Sequence, residues 1–174
     1  MNTGTPISRN LRSALSRALI GLLLAPALAF AADQAPESGR LADRLAGLWL
    51  VNVTLRNCVT GEPLPFPGAI FDAMALFEQD GTFHDTNANS PLVRSAALGT
   101  WKHLQGRNYE FAFRNFRFDS TGTLPIGSQI VRHTVTLSRD GKSYASEGTA
   151  EFYDVSGIRM LPDGCSTSTA TRFK

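Results

Sequence analysis

From residue 47 onward, apolar and polar residues alternate along the chain with a period of two, and turn residues interrupt this alternation at short intervals. Such a pattern is typical of β-strands that bury one face. The dipeptides Asp80-Gly81 and Asp140-Gly141 are strong signals for tight hairpin turns. The pattern predicts eight strands, at about residues 47–58, 70–79, 82–87, 98–104, 109–119, 129–138, 143–154 and 165–173.

The order of these elements indicates an all-β fold. No stretch suited to a crossover helix separates the strands, so we expect each strand to pair with the next in an antiparallel up-and-down meander. Eight strands are enough to close a barrel around packed side chains or around one small ligand. A short helix at Leu41–Ala46 is predicted to cap one end. The aromatic residues of the fifth strand change phase, which predicts a β-bulge near Arg114 and Asn115.

The N-terminus has the pattern of an export signal. Three arginines, Arg9, Arg12 and Arg17, precede an apolar run of thirteen residues that ends at Phe30, and small residues flank a predicted cleavage site after Ala31. A retained membrane anchor is the alternative, but a spanning helix needs ~20 apolar residues. We therefore predict a signal peptide at 1–31, no membrane span after cleavage, and a periplasmic or extracellular protein.

Removal of this signal changes the charge of the chain. All 15 acidic residues but only 14 of the 17 basic residues lie beyond residue 31, so the exported chain carries a net charge of −1. Because a nucleic-acid-binding domain needs a basic surface, we expect no nucleic-acid partner. The polar stretch 32–43 is predicted to be a disordered lead-in, followed by a single barrel domain at 44–174.

The chain contains two cysteines, Cys58 and Cys165, which lie 107 positions apart. In an oxidising compartment, two cysteines are most simply explained by one disulfide bond. Two free thiols are the alternative. A metal pair or a redox motif would require a much shorter spacing, such as Cys-x-x-Cys. We therefore predict a disulfide that links the first strand to the last on the outer surface of the barrel.

A closed barrel requires the first and last strands to lie antiparallel. If Cys58 faces Cys165, then Val51 lies opposite Arg172, and the apolar or small residues of both strands share the inward face. The same register places Trp49 and Arg172 together inside one end. A guanidinium stacked on an indole stabilises by about 1–2 kcal/mol when partly desolvated.

Gly47-x-Trp49 at the start of the first strand, with Arg172 crossing that tryptophan from the last strand, resembles the lipocalin-type, or calycin, barrel. Gly99-Thr100-Trp101 and the ending Thr-Ala-Thr-Arg-Phe are also similar to small exported bacterial proteins with lipocalin-like domains. The resemblance covers residues 44–174 and implies a lipocalin-like barrel in which Gly47, Trp49 and Arg172 serve closure.

The interior of such a barrel is either packed or hollow. Ser166, Ser168 and Ala170 are small residues on the predicted inward face, which suits an open pocket or a tight interdigitated core. If the barrel is hollow, we expect an apolar lining with Arg132 or His133 as a polar fixture. The candidate lining residues are Met74, Leu76, Trp101, Tyr109, Phe111, Phe113, Arg132 and His133.

No motif in the chain indicates catalysis or a cofactor. The three histidines have no metal-binding spacing, although His103 and His133 are predicted to point inward and His84 outward. No Gly-x-Ser-x-Gly motif is present. The carboxylates Asp80 and Asp85, and the pair at 147 and 151, are interpreted as turn or outer-face residues. We therefore expect no metal, no cofactor and no enzymatic activity.

Three functional hypotheses remain. The first is a barrel that binds a small hydrophobic or amphipathic ligand. The second is a filled barrel that binds a protein or a cell-envelope component through its proline-rich first loop and open end. The third is a barrel enzyme that acts on a bound lipid-like substrate. Neither the oligomeric state nor the open end of the barrel follows from the sequence.

Overall fold

The computed structural model describes residues 44–174, which form a closed barrel of eight antiparallel strands. Each strand pairs with the next, and the last pairs with the first, so the predicted up-and-down barrel is confirmed. The strands are β1 (Gly47–Arg56), β2 (Ile70–Phe77), β3 (Thr82–Asn87), β4 (Ala97–Gln105), β5 (Asn108–Phe118), β6 (Pro125–Leu137), β7 (Ser143–Tyr153) and β8 (Arg159–Arg172). β6 and β8 begin four and six residues earlier than predicted.

The signal peptide, the lead-in and the start of the predicted helix at Leu41–Ala46 lie outside the described residues. Arg44 and Leu45 form a turn and not a helix. Leu45 is fully buried in the hydrophobic core. The segment before β1 therefore covers the end of the barrel, although it does so with a turn.

The barrel closes through the pairing of β1 with β8, in a register two residues away from the predicted one. Trp49 is the partner of Arg172, and Val51 is the partner of Ala170. A shift of two residues keeps every side chain on its expected face. The shift arises because β1 ends at Arg56, the partner of Cys165, and Cys58 reaches Cys165 from the turn that follows.

The predicted disulfide is present. Cys58 and Cys165 are bonded, with their Cα atoms 5.2 Å apart. Cys165 shares the outward face of β8 with Thr167 and Thr169, and Cys58 is exposed. The bond therefore lies outside the barrel wall, as expected, and encloses almost all of the described domain.

Arg172 seals one end of the barrel. Its guanidinium lies 4.3 Å from the centroid of the Trp49 ring and donates hydrogen bonds to the carbonyl oxygens of Arg44 (2.6 Å), Ala46 (2.8 Å) and Gly141 (3.2 Å). Gly47 has a φ of 125°, and a Cβ there would lie 2.7 Å from Arg172 Nη1. Glycine is thus required at this position both by its backbone conformation and by the space that the guanidinium occupies.

The large buried side chains gather at this sealed end and form a plug. Trp49 meets Tyr144 edge-to-face at 5.0 Å, and its Nε1 donates to the carbonyl oxygen of Leu45. Phe77 meets Trp101 edge-to-face at 5.7 Å. Such T-shaped pairs are favoured by the quadrupoles of the rings. The residues of the plug are Leu45, Trp49, Phe77, Trp101, Tyr109, Val135 and Leu137.

The predicted bulge near Arg114 and Asn115 is wrong. β5 pairs with β6 without a shift through these residues, and irregularities occur instead at the ends of β4 and β5. The polar Asn115 occupies the inward position at 1 % exposure, and Phe116 is outward at 57 %. The phase of the aromatic residues therefore changes because a polar side chain points inward and an aromatic one points outward, and not because the backbone register changes.

Removal of the disulfide is expected to destabilise the barrel. In the chain-entropy account, a bridge that closes a loop of about 100 residues contributes about 4 kcal/mol. We expect the double variant Cys58→Ser/Cys165→Ser to lower the free energy of unfolding by up to that amount in urea titrations. The wild-type protein under a reducing agent should match the variant; equal stability of the oxidised and reduced proteins would contradict the prediction.

The geometry of Arg172 predicts that lysine cannot replace it. Arg172→Lys keeps the charge but loses the planar fork that reaches three carbonyl groups and stacks on Trp49, so we expect a loss of about 2 kcal/mol in unfolding free energy. The matched control is Arg132→Lys, because Arg132 is exposed and pairs with Glu151 at 3.2 Å on the outer surface. That change should stay within about 0.5 kcal/mol. Similar losses for the two variants would contradict a closure role for Arg172.

Candidate ligand-binding cavity

The half of the barrel away from the plug is hollow. It contains a cavity of about 470 Å³. The loop after β1 contributes Leu64 to its lining, the β3–β4 loop contributes Asn89 and Arg94, and the start of β8 contributes Pro162. In an up-and-down barrel, these segments all lie at the same end. The mouth is therefore opposite the end sealed by Arg172.

Aromatic rings form one wall of this cavity. Phe83 stacks on Phe111 with centroids 4.7 Å apart and on Phe113 at 5.5 Å. The His133 ring continues this arrangement, lying 5.2 Å from Phe111 at an interplanar angle of 21°. We call Phe83, Phe111, Phe113 and His133 the aromatic wall.

A missing side chain allows two of these rings to meet. Gly99 lies between Phe83 and Phe113 in the register of β3, β4 and β5. A Cβ at Gly99 would lie 2.7 Å from the Cβ of Phe113 and 2.0 Å from the carbonyl oxygen of Ala112. Because β4 contributes no side chain here, the rings on its two neighbours stack across it.

Hydroxyl groups form the adjoining wall. His133 Nδ1 is 2.9 Å from Ser146 Oγ, and Nε2 is 2.9 Å from Ser166 Oγ. Ser146 Oγ in turn lies 2.6 Å from Ser168 Oγ. In a neutral imidazole one ring nitrogen donates and the other accepts, and serine hydroxyls can complete both bonds. These four side chains form one hydrogen-bonded chain, which we call the hydroxyl network.

A second glycine makes the bond from His133 to Ser166 possible. Gly148 lies between these two residues in the register of β6, β7 and β8. A Cβ at Gly148 would lie 2.4 Å from His133 Cδ2. The imidazole therefore crosses β7 through the space that a side chain would fill.

Burial determines the charge of His133. Its side chain is held in the interior, and desolvation of the charged form lowers the pKa of the imidazole to about 4. His133 is therefore neutral at neutral pH. Both nitrogens already have hydroxyl partners, which leaves neither free to ligate a metal. Across residues 44–174, no group of three or more His, Cys, Asp or Glu side chains is placed to hold a metal ion.

An ion pair lies at the mouth side of the aromatic wall. Asp85 Oδ1 accepts a hydrogen bond from Arg94 Nη2, and their side chains are only 11 % and 12 % exposed. Burial raises the pKa of Asp85, and the charge of Arg94 opposes that shift. Burial raises the pKa of Tyr144 as well, with the charge of Asp85 adding to the effect. The pair places both charges inside the barrel and leaves them mutually neutralised.

The structure separates the predicted lining residues into three groups. Phe111, Phe113 and His133 line the cavity. Trp101 and Tyr109 point inward but belong to the plug at the sealed end. Met74, Leu76 and Arg132 lie on the outer surface, which corrects their predicted placement.

Strand pairing explains the outward residues. Phe77 pairs with Phe83 across the β2–β3 hairpin and points inward, so Ala73 and Ala75 share its face. Ala75 is also the partner of Trp49, whose indole leaves room only for a small neighbour. The large residues of β2 are consequently displaced to the outer face. Arg132 alternates with His133 and pairs with Glu151 outside.

The remaining histidines and the carboxylates also have defined positions. His103 Nε2 lies 2.9 Å from the carbonyl oxygen of Gly106, at the β4–β5 hairpin and away from the cavity. His84 is on the outward face of β3, as predicted. Asp85 is not an outer-face residue, which is a second correction. Its position follows from the alternation, because it shares the face of Phe83 on β3.

Two features of the cavity were missed in the sequence. Arg94 lies in the β3–β4 loop, where no periodicity indicates the direction of a side chain. Ser146 lies on β7, which is rich in small residues, so its inward position carried no signal of function. The parity of Phe83 was the one available indication that Asp85 points inward.

A wider depression, of about 950 Å³, lies on the outer surface of the barrel. Many of its lining residues point outward, including Leu50, Met74 and Thr169. None of the buried polar side chains in residues 44–174 lines it, whereas His133, Ser146 and Ser168 surround the interior cavity. The interior is therefore the better candidate for specific binding.

No protein-family model and no curated protein matches the chain. Solved structures of similar fold include EF1p2_mFAP2b bound to DFHBI, with 14 % identity over 78 % of this chain and 99 % of that one and a TM-score of 0.49. A redesigned β-barrel, b11L5F_LGL, has 14 % identity over 78 % and 96 % and a TM-score of 0.33. Rv2717c from M. tuberculosis has 11 % identity over 79 % and 98 % and a TM-score of 0.36. At these identities and TM-scores the similarity assigns no role to any residue.

Among the described residues, no helix is long and apolar enough to cross a membrane. This finding concerns residues 44–174 alone.

The buried imidazole predicts a loss of stability in acid. The pKa of His133 is about 4 in the folded protein and 6.5 ordinarily, so the unfolded chain binds the proton first as the pH falls. Stability should therefore decrease between about pH 6.5 and 4, by about 3 kcal/mol in total. In His133→Gln this part of the pH dependence should disappear, as measured by urea unfolding at several pH values. Parallel curves for wild type and variant would contradict the prediction.

Proposed function

We propose that this chain is an exported, lipocalin-like barrel that binds one small hydrophobic or amphipathic molecule in its interior. The observation that carries the proposal is the cavity of about 470 Å³ with a hydrogen-bonded polar cluster inside it. Ligand sites in proteins measure roughly 300–1,000 Å³ and combine an apolar lining with a few fixed polar groups.

The distribution of side chains supports binding over a purely structural role. Protein interiors are normally packed as densely as organic crystals. Here most of the largest fully buried side chains belong to the plug, while the mouth half surrounds a cavity whose lining includes the small residues Ser166 and Ser168 on β8. A buried ion pair often stabilises a fold no more than a well-packed apolar pair of similar volume, so stability alone does not explain Asp85 and Arg94. Contact with a ligand would explain why these polar groups line the cavity.

Binding without covalent chemistry is part of the proposal. His133 is held between two serine hydroxyls and is uncharged at neutral pH. Asp85 is engaged by Arg94. Because these groups are engaged with protein partners, the proposal gives them the role of orienting a ligand and not of reacting with it.

An interaction module is the second candidate, and exposed apolar side chains at the mouth favour it. Leu124 in the β5–β6 loop is 63 % exposed, and Val155 in the β7–β8 loop is 68 % exposed. Leu161 near the start of β8 is 80 % exposed. Single exposed apolar residues are common on protein surfaces, so this observation carries less weight than the interior cavity.

A pair of matched substitutions on β7 tests the ligand-binding proposal. Ala150 points into the cavity, and Ala145 points outward on the same strand. Ala150→Phe fills part of the cavity, so we expect it to weaken binding of the neutral fluorescent probe N-phenyl-1-naphthylamine by about tenfold or more, equal to about 1.4 kcal/mol. The control Ala145→Phe should leave binding unchanged. Thermal unfolding of both variants checks that they fold.

Two results would contradict the proposal. One is the absence of probe binding to the wild-type protein at concentrations that saturate other apolar cavities. The other is an equal effect of the two substitutions, which would place the probe on the outer surface. Native mass spectrometry of protein purified from its own host complements the titration, because a copurifying small molecule that Ala150→Phe releases would locate the natural ligand in the barrel.

A further inference from the structure

We infer that the ligand of this cavity is a flat, uncharged, ring-containing molecule whose polar oxygen or nitrogen is held beside Ser166. This inference rests on the proposed function and specifies its ligand class. It follows from the geometry of the aromatic wall, from the pairing of the interior charges and from the position of one hydroxyl group.

The aromatic wall favours a flat ligand. The planes of Phe83 and Phe111 differ by 12°, those of Phe83 and Phe113 by 18°, and those of Phe111 and Phe113 by 8°. Buried aromatic pairs often meet edge-to-face, as they do in the plug of this barrel. Parallel rings instead present parallel faces, and a planar unsaturated ring is the shape that extends such a stack.

The opposite side of the cavity leaves space for such a ring. In a closed ring of eight strands, β1 lies opposite β5. Several inward residues of β1 and its neighbours are small or β-branched, namely Val51 and Val53 on β1, Ala75 on β2 and Ser168 on β8. The larger Leu55 and Phe71 also line the cavity, nearer the mouth ends of β1 and β2. The wall formed by the aromatic side chains is therefore faced, in the deeper part of the cavity, by shorter side chains of β1, β2 and β8. Such an asymmetric space suits a flat ring.

The interior charges favour an uncharged ligand. The charged side chains that line the cavity are Asp85, Arg94 and Asp163. Asp85 is paired with Arg94, and Asp163 is paired with Arg159 at the mouth. An anionic ligand would have to compete with Asp85 for Arg94, and a cationic ligand would have to compete with Arg94 for Asp85 or with Arg159 for Asp163. A buried charge without a partner is costly, so a neutral molecule enters with the smallest electrostatic penalty.

Ser166 provides a place for one polar atom of the ligand. Its hydroxyl bonds His133 Nε2, it lines the cavity, and it is less buried than Ser146 and Ser168. A serine hydroxyl has one donor and two acceptor sites, so Ser166 retains capacity for a second partner. Ser166 ends the hydroxyl network and bonds His133, which also belongs to the aromatic wall, so a polar atom held beside Ser166 lies at one edge of the ring.

The experiment compares three ligands of similar size on the full wild-type protein. 2-Naphthol is flat and neutral, decahydro-2-naphthol has the same skeleton but is puckered, and 2-naphthalenesulfonate is flat but anionic. Each displaces N-phenyl-1-naphthylamine in a competition titration. We expect 2-naphthol to bind about five- to tenfold more tightly than either of the others.

Two substitutions assign the effect to residues. Phe111→Leu should weaken 2-naphthol several-fold and leave decahydro-2-naphthol unchanged. The matched control is Phe116→Leu, which removes an outward ring from the same strand. Ser166→Ala should weaken 2-naphthol but not naphthalene, which lacks the hydroxyl. If a variant does not fold, the ligand series on the wild-type protein still decides the inference.

The outcomes separate this inference from the proposed function. If the probe does not bind at all, the proposed function fails. If the probe binds but the puckered or the anionic compound competes as well as 2-naphthol, the ligand-binding function stands and the inference is overturned. Equal effects of Phe111→Leu on the flat and the puckered ligand would overturn it as well.

Discussion

The contact between Arg172 and Trp49 determines how the interior of the barrel is divided. One guanidinium stacks on the indole and donates to three carbonyl groups, two before β1 and one in the β6–β7 hairpin. It thereby joins the N-terminal and C-terminal segments of the described domain, and it occupies the space through which solvent would otherwise enter this end of the barrel. Large aromatic residues pack against the sealed surface, and the other half of the barrel can remain open.

The cavity depends on the absence of side chains as much as on their presence. Gly99 lets Phe83 and Phe113 stack across β4, and Gly148 lets His133 reach Ser166 across β7. An alanine at either position would place its Cβ within 2.0 Å of a backbone oxygen. Both glycines are therefore part of the architecture of the site, although neither can touch a ligand through a side chain.

The periodicity of the sequence is sufficient to predict the barrel but insufficient to predict which side chains line its interior. Alternation and turn residues predicted eight strands and the correct inward face of β1 and β8, because a closed sheet forces period two on every strand. The sequence predicts the wrong face of β2 because Met74 and Leu76 are larger than Ala73 and Ala75, and large apolar residues are usually the buried ones. In a barrel the inward residue must fit its neighbours across the sheet, and Trp49 already occupied that space.

The polar residues of the site are harder to predict from the sequence than its apolar residues, for a physical reason. A carboxylate is rarely buried without a partner, so Asp85 was assigned to the surface although its parity with Phe83 placed it inside. Its partner, Arg94, comes from the loop between β3 and β4, and no local pattern connects the two. No local pattern connects the members of the hydroxyl network either, since they come from three different strands, β6, β7 and β8.

The role of the buried pair of Asp85 and Arg94 becomes clear when the pair is compared with two apolar residues in the same positions. Well-packed hydrophobic residues of similar volume often stabilise a fold as much as a buried ion pair, or more. Replacing Asp85 and Arg94 by such residues would remove this charged pair from the lining of the cavity. The pair instead holds the β3–β4 loop against the wall, with Arg94 lying 5.8 Å from the centroid of Phe113. The ion pair therefore holds the loop beside the mouth in a defined position, an arrangement that the proposed ligand binding would use.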